Sequence, residues 1–239
     1  MINKSDLLAE SPNLPIENVN PKLLHKAVQE VIWLSGTAIY KHWLQLECQG
    51  LEHLPQDRGY IIAANHNSHL DGPAVIAAQG QHISQVYSLA AKDYFFNHPT
   101  KAWLCQNFLN MIPFKRKGKF LDCVPTCQQV IAQKKSILLF PEGTRSVTGK
   151  LQPLKPGLGI LVMKLHAPVV PAYIQGTYQA LPKGKYFPKK YPIRVSFGPP
   201  LEFNHYWEQQ DGVDNHQVYR AIVNDVSVGI QELISSQRI

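Results

Sequence analysis

Tyr60-Ile-Ile-Ala-Ala64-Asn65-His66-Asn67-Ser68-His69-Leu70-Asp71-Gly72-Pro73 is the stretch from which the fold is read. Its first five residues form an apolar run too short for a helix, the pattern of a buried strand. Gly72-Pro73 then opens a helix with proline in its first turn, which places Asp71 near a helix N-terminus, where the backbone dipole keeps a carboxylate ionised. His66 falls at the carboxyl end of the strand, the edge at which open α/β sheets hold their ligands.

The same alternation continues on both sides. Further strands are expected at Val86 to Ala90, Ile137 to Phe140, Val169 to Ile174 and Ile193 to Phe197. Helices are expected at Pro73 to Ala78, Thr100 to Leu109, Phe120 to Gln133, Gly157 to Leu165 and Asn215 to Ser235. In the last of these Val218, Ile222, Val226 and Ile230 recur every four residues, the spacing of one buried helical face. Strands alternating with helices require crossover connections, so the fold class is α/β: a mostly parallel central sheet flanked by helices. Pro12, Pro15 and Pro21 mark an irregular lead-in to an N-terminal amphipathic helical segment, Leu23 to Leu46. Residues 1–48 therefore read as an extension to a domain over 49–239. Helical stripes pack on a core more often than on lipid, so spacing alone favours the core for this segment, with a bilayer surface as the alternative. The segment Lys155-Pro-Gly-Leu-Gly-Ile-Leu-Val162 reads as a glycine-assisted helix packed closely on a strand.

Across the 239 residues, 44% are apolar and 17% charged, which excludes general disorder and fits a packed globular chain. The charge is unevenly placed. Residues 101–200 carry 16 Lys and Arg against 2 Asp and Glu, while both flanking segments are mildly acidic. Such a positive field suits an anionic partner: nucleic acid, a phospholipid surface or an acidic carrier. Nucleic acid would call for basic residues interleaved with stacking aromatics, and only Lys183 to Tyr191 has that character. The four cysteines, Cys48, Cys105, Cys123 and Cys127, match neither a disulfide framework nor paired zinc ligands. Met1-Ile-Asn-Lys-Ser-Asp-Leu-Leu lacks the order of a secretion signal and no stretch is continuously apolar, so the expected location is cytoplasmic.

Two constellations carry chemistry. In the first, a turn lets Asp71 accept a hydrogen bond from one ring nitrogen of His66, leaving the other as a general base. No Gly-x-Ser-x-Gly elbow occurs, so the hydroxyl to be deprotonated is expected to belong to the substrate. A metal site using His66, His69 and Asp71 is the weaker reading, because no second ligand cluster follows. The second constellation is Phe140-Pro141-Glu142-Gly143-Thr144-Arg145-Ser146, which also follows an apolar run. Gly143 permits a tight backbone, Arg145 offers a planar fork for phosphate, and Glu142 can pair with an arginine or take a substrate hydroxyl. If both runs are parallel neighbours, the two loops line one cleft. Between them lies the basic stretch Lys115-Arg116-Lys117, followed by Lys119.

These blocks resemble those of the glycerolipid acyltransferase superfamily, and in particular the 1-acyl-sn-glycerol-3-phosphate (lysophosphatidic acid) acyltransferases of the PlsC type. Asn65 to Asp71 resembles the family's His-x4-Asp block, Phe140 to Ser146 its Phe-Pro-Glu-Gly-Thr-Arg-Ser block, and Val170 to Ile174 a later apolar block, over roughly residues 50 to 200. The chain departs from the family in the arginine block, where Asn110, Pro113 and Arg116 replace the usual Gly-x-x-Phe-x-x-Arg. The resemblance implies that His66, oriented by Asp71, deprotonates the free hydroxyl of a lysophospholipid acceptor, which attacks an acyl thioester. It implies that Arg116, Glu142, Gly143, Thr144 and Arg145 bind the acceptor. It implies no metal and no bound cofactor, with acyl-CoA or acyl carrier protein (acyl-ACP) as co-substrate. Partners are then an anionic membrane surface and the acyl carrier, with no nucleic acid, and the expected place is the cytoplasmic face of a membrane. Glycerol 3-phosphate or another lysophospholipid as acceptor, or a non-catalytic basic lipid-binding protein, are the alternatives. Tyr186, Phe187, Lys189 and Lys190, with Tyr94-Phe95-Phe96, are the candidates for membrane docking.

Overall fold

The computed structural model describes residues 23–80, 83–116, 120–207 and 215–237; the expected lead-in, Lys117 and Lys119 lie outside them. Among the described residues there are seven strands: β1 (Glu47–Gln49), β2 (Tyr60–Ala64), β3 (Val86–Ala91), β4 (Met111–Phe114), β5 (Ser136–Leu139), β6 (Val169–Gln175) and β7 (Arg194–Phe197). The helices are α1 (Leu23–Ala38), α2 (Asp71–Gln79), α3 (Lys92–Phe95), α4 (Pro99–Phe108), α5 (Val124–Ala132), α6 (Gly157–Leu165), α7 (Thr177–Ala180), α8 (Asn204–Trp207) and α9 (Asn215–Ser236). The strands form one sheet in the order β1-β7-β6-β2-β5-β3-β4. All neighbours are parallel except β6 and β7.

The central strand β2 shows why both faces must be covered. Tyr60, Ile62 and Ala64 join one apolar cluster, with Val75 and Ala78 of α2. Ile61 and Ala63 join the other, with α5, α6 and α9. Successive side chains of a strand point to opposite faces, so a run apolar at every position needs helices on both. The expected α9 positions Val218, Ile222, Val226 and Ile230 are all buried in the second cluster.

The structure departs from the sequence reading in several places. Strands β1 and β4 were not expected. Each is a short edge strand; β1 alternates polar residues, and β4 carries Pro113, which a sheet edge tolerates. A β-carbon on Gly159 of α6 would lie 2.5 Å from the Tyr219 carbonyl oxygen. The close approach expected against a strand is therefore made to helix α9. The N-terminal segment is not one helix: α1 gives way to a π-helical turn, Ile39–Trp43. Its stripe is also not core. Tyr40 and Leu44 are buried, but Val31, Leu34 and Ile39 are 64%, 53% and 50% exposed. Helix α1 packs instead along α2 and α4, with the Gln29 amide donating to the Asn107 carbonyl at 2.7 Å. Among the described residues no helix is long and apolar enough to cross a membrane.

Candidate active site

Strands β2 and β5 are adjacent and parallel, with Ala63 opposite Leu139, so the two polar constellations leave the same sheet edge. Where β2 ends, the Asn65 side chain takes over its pairing with β6. Its amide donates to the Ile174 carbonyl at 2.9 Å and its carbonyl accepts the Ile174 N–H at 2.7 Å. This fixes the start of the turn that carries His66.

Three N–H groups then converge on one oxygen. Asp71 Oδ2 accepts His66 Nδ1 at 2.8 Å, the Asn67 N–H at 2.6 Å and the Ser68 N–H at 2.7 Å. Asp71 is wholly buried in the first turn of α2. A carboxylate accepts there, so Nδ1 carries the proton and the Nε2 lone pair is bare. Among the described residues no group bonds Nε2, and His66 lines the cleft described below. Its ring stacks on Phe140 with centroids 4.1 Å apart and planes 15° apart, which fixes its orientation.

The second loop grips the first through its backbone. Glu142 Oε1 accepts the His66 N–H at 2.6 Å, and the Ser146 N–H donates to the His66 carbonyl at 2.7 Å. Glu142 Oε2 accepts the Gln152 N–H at 3.0 Å. With 2% of its surface exposed, Glu142 does not reach the cleft. Among the described residues no arginine pairs with its carboxylate, and each of its oxygens accepts a backbone N–H. Burial pushes its carboxyl up to about 7, against the lowering effect of those donors. Gly143 has φ +71°, a left-handed conformation that selects glycine, while the nearest neighbour to a β-carbon there is the movable end of the Lys155 side chain.

The cleft beside His66 has a volume of about 750 Å³. Its buried lining is mainly apolar, with Ala77, Ile83, Leu89 and Ala90 from α2, the turn before β3, and β3 itself, interrupted by Ser68 and Ser88. Its more accessible lining holds the cationic and polar Arg145, Arg116, Lys183 and Thr144 alongside Ile32, Pro73 and Tyr94. Arg145 has no carboxylate partner among the described residues, whereas Arg116 lies 3.6 Å from Asp93. The structure thus brings His66, Arg116, Gly143, Thr144 and Arg145 to one cavity. It leaves Tyr186, Phe187, Lys189 and Lys190 outside the lining.

Several participants were missed in the sequence. Lys183 Nζ lies 3.4 Å from Thr144 Oγ1 on the rim. The available signal was position: Lys183 follows β6, the other parallel neighbour of β2, and so emerges at the same edge. Tyr94 and Phe95, two of the docking candidates, also line the cleft. The Tyr94 hydroxyl pairs with His69 Nε2 at 2.9 Å, and Lys101 Nζ lies over both aromatic rings. Desolvation, then the charge of Arg145, lower the His69 pKa to about 4, so His69 is neutral near pH 7. Among the described residues no group of three His, Cys, Asp or Glu side chains is arranged to hold a metal.

A family model described as Acyltransferase matches residues 45–175, more than half of the chain, including both polar constellations. The chain belongs to the acyltransferase family. Its acyltransferase relatives include the chloroplastic 1-acyl-sn-glycerol-3-phosphate acyltransferase BAT2 of Brassica napus, 32% identical over 156 residues, covering 64% of this chain and 43% of that one. A 1-acyl-sn-glycerol-3-phosphate acyltransferase of Limnanthes alba is 29% identical over 213 residues, covering 86% and 69%. The chain thus spans less than half the length of the Brassica relative. The crystal structure of the 1-acyl-sn-glycerophosphate acyltransferase PlsC of Thermotoga maritima shares the fold with a TM-score of 0.64 at 24% identity, over 87% of this chain and 80% of that one.

Proposed function

We propose that the chain transfers a fatty acyl group from a thioester to the free hydroxyl of lysophosphatidic acid, giving phosphatidic acid. The observation that carries this reading is the bare Nε2 of His66 at a cleft that has the cations Arg145, Arg116 and Lys183 on its accessible rim and a mainly apolar buried lining. The acceptor has a matching division, with a phosphate at one end and a hydrocarbon chain at the other. The names of the relatives support the same acceptor.

In this mechanism His66 Nε2 takes the proton of the acceptor hydroxyl as that oxygen attacks the thioester carbonyl carbon. Asp71 stabilises the imidazolium that forms. The tetrahedral intermediate collapses with cleavage of the C–S bond, and the proton on Nε2 passes to the departing thiolate. Arg145, Arg116 and Lys183 meet the phosphate, Gly143 allows close approach, and Thr144 orients Lys183. Glu142 is a positioning residue that acts through the His66 backbone. No acyl-enzyme forms. A thioester is already activated, so the chemistry needs neither a metal nor a bound cofactor; acyl-CoA or acyl-ACP arrives as a substrate. The work is done peripherally, at the cytoplasmic face of a membrane.

The test is to incubate purified protein with labelled acyl-CoA or acyl-ACP and a panel of acceptors: lysophosphatidic acid, glycerol 3-phosphate and lysolipids with larger head groups. Mass spectrometry should identify phosphatidic acid as the main product. A dominant product from another acceptor, or none from any, would overturn the assignment.

A further inference from the structure

The chain from Leu181 to Tyr191 leaves the same sheet edge as the two loops of the site, and acyl transfer makes no use of its tip. Tyr186 and Phe187 are 89% and 88% exposed. Two adjacent aromatic rings held in water are unfavourable unless something covers them. Lys183, Lys185, Lys189 and Lys190 surround them, all exposed. No acidic residue occurs between Glu142 and Glu202, so this positive charge has no counterpart in its own stretch of chain.

The loop is closed and anchored. The Lys189 N–H donates to the Ala180 carbonyl at 2.8 Å, joining its two ends, and the Lys185 N–H donates to the Pro182 carbonyl at 3.1 Å. Gly184, with φ +92°, turns the chain between them. At the base, the Leu181 carbonyl accepts the buried Ser68 hydroxyl at 2.7 Å, two residues from His66. The aromatic tip is therefore fastened to the turn that carries the base.

We propose that this loop is a lipid-surface anchor that holds the cleft mouth at an anionic bilayer. The rings of Tyr186 and Phe187 enter the headgroup layer, and Lys185, Lys189 and Lys190 meet lipid phosphates. An acidic carrier protein would engage the lysines but has no stated need for two bare rings, whereas an anionic bilayer satisfies both. Binding of this kind does not depend on acyl transfer and can be measured without it.

The experiment is flotation of the full chain with phosphatidylcholine vesicles, with and without anionic phosphatidylglycerol, at about 0.1 M salt. The wild type should float with the anionic vesicles. Combined Tyr186→Ser and Phe187→Ser, or combined Lys189→Glu and Lys190→Glu, should each lower the bound fraction about tenfold. Both variants should keep wild-type transfer rates on substrates dispersed in detergent micelles. Phe187→Trp should preserve binding, and its added emission should shift to the blue when vesicles are present. Unchanged flotation of both double variants, or an unshifted Phe187→Trp emission, would overturn the proposal. So would normal flotation combined with a selective loss of transfer from acyl-ACP, which would assign the loop to the carrier protein.

Discussion

The two sides of the cleft are built on opposite principles. On the His66 side, position is set by directional bonds: three donors meet one oxygen of Asp71, whose other oxygen is buried without a partner, and both oxygens of Glu142 accept backbone N–H groups. On the far side, α1, α2, β3 and β4 offer apolar surface that makes few directional bonds, and the outer stripe of α1 stands exposed. A hydrogen-bonded constellation loses function when one member changes, because a buried group is left unpaired. An apolar wall defines a volume, and its substitutions alter what fits.

The largest effect should come from the hydrogen-bonded side. Asp71→Asn places an amide where three donors converge, so kcat should fall about 10²- to 10⁴-fold, measured on protein whose folding is checked by thermal melting. Glu142→Gln should lower kcat about ten- to a hundredfold with little change in KM for the acceptor, because the Glu142 contact is to the His66 backbone and not to substrate. An effect confined to KM would place Glu142 in the acceptor site after all. The same substitution carries a pH signature. The folded pKa of Glu142, about 7, exceeds the ordinary carboxylate value, so the folded state holds a proton that the unfolded chain has released. Its contribution to stability is present below about pH 4.5 and is lost as pH rises towards 7. Melting temperatures across that window should decline less in Glu142→Gln than in the wild type.

The rim should respond through acceptor binding. Arg145→Ala should raise KM for lysophosphatidic acid about ten- to a hundredfold, the loss of a charge-assisted contact. Arg116→Ala should do less, since Asp93 competes for that guanidinium at 3.6 Å. Equal effects would contradict the view that the ion pair diverts Arg116. The apolar wall should show the mildest change. Ala77→Leu should shift preference towards acceptors with shorter hydrocarbon chains, with kcat/KM falling about fourfold for each methylene that no longer fits, and with kcat for short-chain acceptors retained. A uniform loss across chain lengths would mean that this wall does not receive the acceptor's hydrocarbon chain.

The same contrast governs what could be read in the sequence. Strands β2 and β5 were legible because a strand buried on both faces carries a run of consecutive apolar residues, Tyr60 to Ala64 and Ile137 to Leu139, and their parallel pairing brought His66 and Arg145 to one edge as anticipated. Edge strands lack that signature: β1 is short and polar, and β4 was concealed by Pro113 and the basic residues after it. The position of Glu142 was hidden for a different reason. Its partners are backbone N–H groups, which every non-proline residue carries, so no spacing of side chains announces them. The exposure of α1 was illegible because helical spacing records that a face is apolar and not what meets it. Lys183 was set aside as part of a surface tract, although the strand before it already placed it beside the site.

The most direct test of the central claim is a comparison of wild type and His66→Ala, both confirmed as folded, given labelled acyl thioester and lysophosphatidic acid in detergent. The product and any protein-bound label should be measured in the same reaction. The wild type should form phosphatidic acid without protein-bound acyl label, and His66→Ala should retain no more than about 10⁻² of the rate. A His66→Ala protein that turns over at the wild-type rate, or a wild type that accumulates covalent acyl-enzyme, would contradict it.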